Sequence, residues 1–101
     1  MDTQSLITEA KARFSHNSAK HYLQEKYSSK LLIAEQGGLW KVDTHIISFL
    51  NSFTTDKLIV LDTYNNPVEV DRALLLEKLI TVYSSVMSEY YNEWQELESK
   101  R

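Results

Sequence analysis

The chain contains no cysteine, which excludes disulfides, thiolate metal sites and a cysteine nucleophile together and fits a reducing compartment. One proline and two glycines in 101 residues leave little to interrupt it, so its elements must be long and its loops few. No apolar run approaches the roughly 20 residues that cross a bilayer. Met1 to Ser5 show neither the basic cluster nor the apolar core of a secretory signal. Internal repeats, low-complexity stretches and linkers are also missing. These absences predict one soluble, cytoplasmic domain over residues 1–101, with no membrane association.

What is present suits a packed core. Hydrophobic residues make up 43% and charged residues 25%, an ordinary globular mixture. Charge is unevenly spread. Residues 1–30 hold five basic side chains (Lys11, Arg13, Lys20, Lys26, Lys30) against three acidic ones, and the remainder hold six against eleven. Two ends of opposite sign attract each other across a fold.

Apolar periodicity predicts the elements. Leu6, Ile7, Ala10 and Phe14, then Ala19, Tyr22, Leu23 and Tyr27, recur at helical spacing, with Asp2 as N-cap and a weak point at Ser15-His16-Asn17-Ser18. Gly37-Gly38 between two apolar runs reads as a hairpin turn with positive φ angles, Trp40 and Val42 facing inward. Asp43 or Thr44 caps a short helix whose inner side is Ile46, Ile47, Leu50 and Phe53. Lys57 to Leu61 is apolar on both faces and reads as an interior strand. Asn65-Asn66-Pro67 turns the chain into a short strand at Val68–Val70, and Asp71 caps a last helix from about Arg72 to Lys100. The expected fold is α+β in the order helix, hairpin, short helix, hairpin, long helix, with the four strands in one small antiparallel sheet covered by the long N- and C-terminal helices.

The last helix is the most informative segment. Ala73, Leu76, Ile80, Tyr83, Met87, Tyr90, Trp94 and Leu97 alternate steps of three and four, the pattern of a helix packed along another helix. Nearly thirty residues span about 45 Å, more than the diameter of a small domain, so a small sheet leaves the C-terminal half uncovered. The N-terminal helix is one candidate cover, opposite in charge to Glu89, Glu93 and Glu96. A second copy of the chain is the other. Tyr83, Met87, Tyr90, Tyr91, Trp94 and Leu97 are the candidate partner-binding residues, since tyrosine and tryptophan favour contact surfaces.

No catalytic constellation stands out. Asp62 follows an apolar strand as a catalytic aspartate can, yet Tyr64 stands where a magnesium-binding carboxylate would have to be, and Asp62 reads instead as a turn residue accepting backbone hydrogen bonds. His16 and His21 are five apart, which places no metal pair on one helix face. A phosphate cradle at Gly37-Gly38 needs a helix N-terminus directly after it, and strand-like residues follow. The expectation is a non-enzymatic chain without metal or cofactor. Nucleic acid is disfavoured, because acids accompany the aromatic rings. The rival reading keeps a nucleic-acid-associated regulator gripping through Lys11, Arg13, Lys20, Lys26 and Lys30.

Three stretches, Gly37 to Lys41, Leu61 to Val68 and Val86 to Glu98, give the chain a resemblance to small proteins of unassigned role in contractile-tailed phages of marine cyanobacteria. The resemblance implies an accessory, assembly or host-interaction protein in the host cytoplasm, and it transfers no catalytic residue.

Overall fold

The computed structural model describes residues 3–100, without the side chains of residues 4, 5, 9 and 12–14. The proposed Asp2 cap and the placements of Arg13 and Phe14 therefore lie outside the described residues. The elements are α1 (Thr3–Lys30), β1 (Leu32–Glu35), β2 (Gly38–Lys41), α2 (Thr44–Asn51), β3 (Lys57–Leu61), β4 (Pro67–Asp71) and α3 (Arg72–Ser99). The α+β order is the one the periodicity predicts.

The strands do not form one sheet. They make two separate antiparallel ribbons, β1-β2 and β3-β4, with Ile33 opposite Trp40 in the first and Val60 opposite Val68 in the second. The interior placement of β3 is overturned with it. Leu58 and Val60 turn inward, while Ile59 and Leu61 are about 60% exposed. An apolar run on both faces looks like a buried strand whether or not a second layer exists to cover its far side, and here none does.

Side chains join the ribbons where a sheet ladder would have. The Asp62 carboxylate accepts from the backbone N–H of Leu39 (3.3 Å), and the Leu39 carbonyl accepts from Thr63 N–H (2.9 Å). At the other end the Gln36 amide grips the backbone of Asp71, donating to its carbonyl at 3.2 Å and accepting from its N–H at 2.7 Å. Asp62 is also the turn residue expected of it, since its carboxylate accepts from Tyr64 and Asn66 N–H as well. These backbone donors, Asn66 foremost and then Leu39 and Tyr64, hold its pKa below the usual carboxylate range despite burial.

The first turn is shifted by one residue from expectation. Gln36 (φ 49°) and Gly37 (φ 81°) carry the positive angles, the two-residue loop that matches strand twist. Gly38 is the first residue of β2 and is needed for a different reason. A Cβ there would lie 2.6 Å from the Trp40 ring, whose indole N–H donates to the Glu35 carbonyl at 2.8 Å.

Two apolar clusters result. The body cluster contains Trp40, Val42, Leu50, Val60, Val70, Leu75 and Leu79, with Ile46, Ile47 and Tyr83 packed against it. Each such aliphatic side chain contributes about 1.5–3 kcal/mol on burial. Asp43 and Asp71 cap α2 and α3 as predicted, accepting from Ile46 and Leu74 N–H. The Arg72 guanidinium donates to the Leu50 and Thr55 carbonyls, tying the end of α2 to the start of α3. The second cluster, Leu23, Tyr27 and Val86, lies between α1 and α3. Leu31 and Val82 touch both clusters.

The molecule is a rod, 66 × 24 × 20 Å with a radius of gyration of 19.4 Å, against about 13 Å for a compact 100-residue domain. The two long helices make it so.

Candidate interaction surface

Helices α1 and α3 run antiparallel, held by a ladder of opposite charges. Lys30 meets Glu89 at 3.1 Å, Lys26 meets Glu93 at 2.7 Å, and both Lys20 (3.1 Å) and His16 (3.3 Å) meet Glu98. Inside this ladder the Tyr27 ring is buried and stacks on Tyr90, and its hydroxyl donates to Glu93. The hydrogen bond from Lys26, then that from Tyr27, lowers the Glu93 pKa. The same bonds to Glu93 raise the pKa of Lys26 and of Tyr27.

Of the two covers open to α3, the N-terminal helix is the one in place. It reaches only half of the expected stripe. Tyr83, Tyr90 and Leu97, seven residues apart, turn inward, Tyr83 onto the body and the other two onto α1. Ile80, Met87 and Trp94 form the other heptad position and are 45%, 37% and 38% exposed, with Tyr91 at 57%. The line of deepest burial runs instead through Leu75, Leu79 and Val86. A neighbouring helix centred on a heptad stripe covers both of its positions; α1 instead lies to one side of the stripe, against Val86, Tyr90 and Leu97.

The exposed side of α3 is itself a regular seam. Ile80, Ser84, Met87, Tyr91 and Trp94 step by four, three, four and three residues, all exposed and all uncharged. Glu77 and Glu98 occupy the next positions outward. Tyr91 is steadied by Gln95, whose amide donates to the phenol oxygen at 2.8 Å. The candidate partner-binding residues omitted Ile80, which stood only in the heptad stripe, and Ser84, though the absence of charge at the four-three positions between Glu77 and Glu98 could have marked this face.

A corresponding difference appears on α1. Ala19, Leu23 and Tyr27 lie toward α3, but Tyr22 is 64% exposed and Leu6 and Ile7 are about half exposed. The ladder ends at His16 and Glu98, one residue before α3 ends. Beyond it, every residue from Thr3 to Ser15 whose side chain is described is exposed. One end of the rod is thus a single helix with Leu6, Ile7 and Ala10 in solvent.

Of the five N-terminal cations proposed to grip nucleic acid, Lys20, Lys26 and Lys30 are engaged by α3 carboxylates. Lys11 is exposed. His21 pairs with Glu25 on its own helix. Among the described residues no three His, Asp or Glu side chains are placed to hold a metal ion, and no helix is long and apolar enough to cross a membrane. A second exposed apolar patch, unforeseen from sequence, lies on the outer face of β3 at Ile59 and Leu61, near Tyr64. Comparison of the chain with protein-family models, curated proteins and solved structures returns no match.

Proposed function

We propose that the protein is a non-enzymatic interaction or assembly module whose working surface is the uncharged outer seam of α3. One observation carries this reading. Met87 and Trp94 keep more than a third of their surface in solvent and Tyr91 more than half although α1 packs along the same helix, so packing within the chain accounts for only part of this apolar stripe. Tyrosine and tryptophan are the side chains most enriched where proteins meet, because they bury large area at low entropic cost. The resemblance to small phage proteins agrees with an accessory or assembly role of this kind. The rival nucleic-acid reading loses support, because three of its five cations already have carboxylate partners.

A photo-crosslinking amino acid at position 91, expressed in the source cell, tests the proposal. Covalent adducts are expected at position 91 and not at position 81, an exposed polar site on the same helix. No adduct at position 91 would overturn it.

A further inference from the structure

The body and the α1–α3 clasp are held by different kinds of contact. The body cluster buries seven side chains, among them Trp40, Leu50, Leu75 and Leu79 at 1% exposure or less. The clasp, along α1 from His16 to Lys30, buries three, Leu23, Tyr27 and Val86. Apolar burial is the main stabilising term in a fold, so the clasp is the weaker unit. Its other ties are ionic and wet. The side chains of the Lys20–Glu98, Lys26–Glu93 and Lys30–Glu89 pairs are 24% to 55% exposed. Pairs so placed each contribute little and are screened by salt.

The junction between the two units can bend. The Leu31 carbonyl accepts from Val42 N–H at 2.6 Å, which fixes Leu31 to the first ribbon. Just before it, Ser28 and Ser29 are exposed, and the Ser29 hydroxyl donates to the Lys26 carbonyl at 2.8 Å. Such a bond competes with the helix ladder, and serine pairs are among the places where helices kink.

We infer that α1 is a releasable strap: the clasp opens as a unit about residues 28–30 while the body stays folded, and opening uncovers the inner side of the α3 stripe. Val86, Tyr90 and Leu97 then join Met87, Tyr91 and Trp94 in one continuous apolar face, because the two sets occupy neighbouring positions around the helix. The strap thus sets how wide a surface α3 offers. Tyr27 fastens it. The Tyr27 ring is 1% exposed and stacks on Tyr90, and its hydroxyl donates to Glu93. Release stands apart from the reading of the outer seam as an interaction surface, since it needs no partner to be seen.

Because the chain has no cysteine, a single introduced thiol reports where it opens. Val86 is buried in the clasp and Val70 in the body. With a soluble thiol reagent in excess, Val86→Cys is expected to react roughly tenfold faster than Val70→Cys, because a weaker unit opens without global unfolding. Sodium chloride at about 1 M shortens the screening length to about 3 Å, and should speed Val86→Cys several-fold without speeding Val70→Cys. Adding Tyr27→Phe should speed Val86→Cys about tenfold, the loss expected for a hydrogen bond to a charged group, and again spare Val70→Cys. Native-state hydrogen exchange makes the same comparison in the unmodified chain. Amides of residues 20–30 are expected to share an opening step that those of residues 75–79 do not. Equal reactivity of the two thiols, or one common opening step for both sets of amides, overturns the inference, because α1 and the body would then be a single cooperative unit. Adducts at position 91 decide the seam separately, so a strap that releases in a chain forming no adducts leaves the inference standing and removes only the interaction reading.

Discussion

Tyr27 stacks on Tyr90 with 5.0 Å between ring centroids and 17° between planes, and its hydroxyl reaches one turn along α3 to donate to Glu93. A rigid ring pair and a charged hydrogen bond thus converge at the middle of the α1–α3 clasp. The side chains on each side belong to one network, and its protonation sets how firmly α1 is held.

The clasp should fail at both ends of the pH scale. Glu93 has a lowered pKa when folded, so its contribution is complete above the ordinary carboxylate value and is lost as acid drives pH down through the folded one. Tyr27 and Lys26 are raised, so theirs is complete below about pH 10 and is lost as pH rises past their folded values. Melting temperature followed by circular dichroism from pH 2 to 12 is expected to give a plateau with two falling limbs. Glu93→Gln should lower the plateau and flatten part of the acid limb. An unchanged acid limb in that variant would show that Glu93 does not hold the helices together.

Substitutions on α3 should separate its two sides. Leu79→Ala, in the body core, is expected to cost about 2–5 kcal/mol, whereas Tyr91→Ser, at a side chain 57% exposed, should stay within about 1 kcal/mol in the monomer. Urea titration at submicromolar concentration reads the difference. A loss of several kcal/mol at Tyr91 would make it a core residue and remove the reason to treat the seam as exposed.

The order of elements was legible because each start and stop has local chemistry. Asp43 and Asp71 cap, Asn65-Asn66-Pro67 turns, and the apolar spacing of α3 is helical throughout. The number of layers was not legible. Ile59 and Leu61 in β3 look the same in sequence whether a second sheet layer covers them or not, so one four-stranded sheet was expected where two ribbons exist. The joint between the ribbons is carried by Asp62 and Gln36 across long separations in the chain, and no periodicity reports such a contact. On α3 the sequence showed the helical stripe but not which of its residues face inward. A three-four rhythm names both sides of a heptad stripe, and only the position of α1 decides that Tyr90 and Leu97 go in while Met87 and Trp94 stay out. The same limit hid the exposed end of α1, whose Leu6 and Ile7 continue the rhythm after the partner helix has ended.

Asp62 should behave as the bolt between the ribbons. Its carboxylate accepts three backbone N–H groups, from Leu39, Tyr64 and Asn66, so Asp62→Ala leaves all three without their acceptor. Hydrogen exchange is expected to quicken at those amides first, with a lowered melting temperature. Asp62→Asn should give an intermediate effect, because an amide keeps one acceptor oxygen and adds donors facing donors. Exchange at Leu39 that is unchanged in Asp62→Ala would mean that the ribbons are held in another way.

The two glycines should fail for different reasons. Gly37 sits at φ 81° with open space where a Cβ would go, so Gly37→Ala is expected to cost about 1 kcal/mol, the price of a left-handed residue with a side chain. Gly37→Asn should recover part of that, since asparagine tolerates the conformation. Gly38 has no positive φ, but a Cβ there would meet the Trp40 ring at 2.6 Å. Trp40 is 1% exposed and its indole is tied to Glu35, so it cannot swing aside without disturbing the body core. Gly38→Ala is therefore expected to cost about 1–3 kcal/mol and to shift the Trp40 emission to the red, whereas Gly38→Asn should be no better. Equal costs at the two positions, or a rescue by asparagine at Gly38, would mean that backbone conformation and not ring contact selects glycine there.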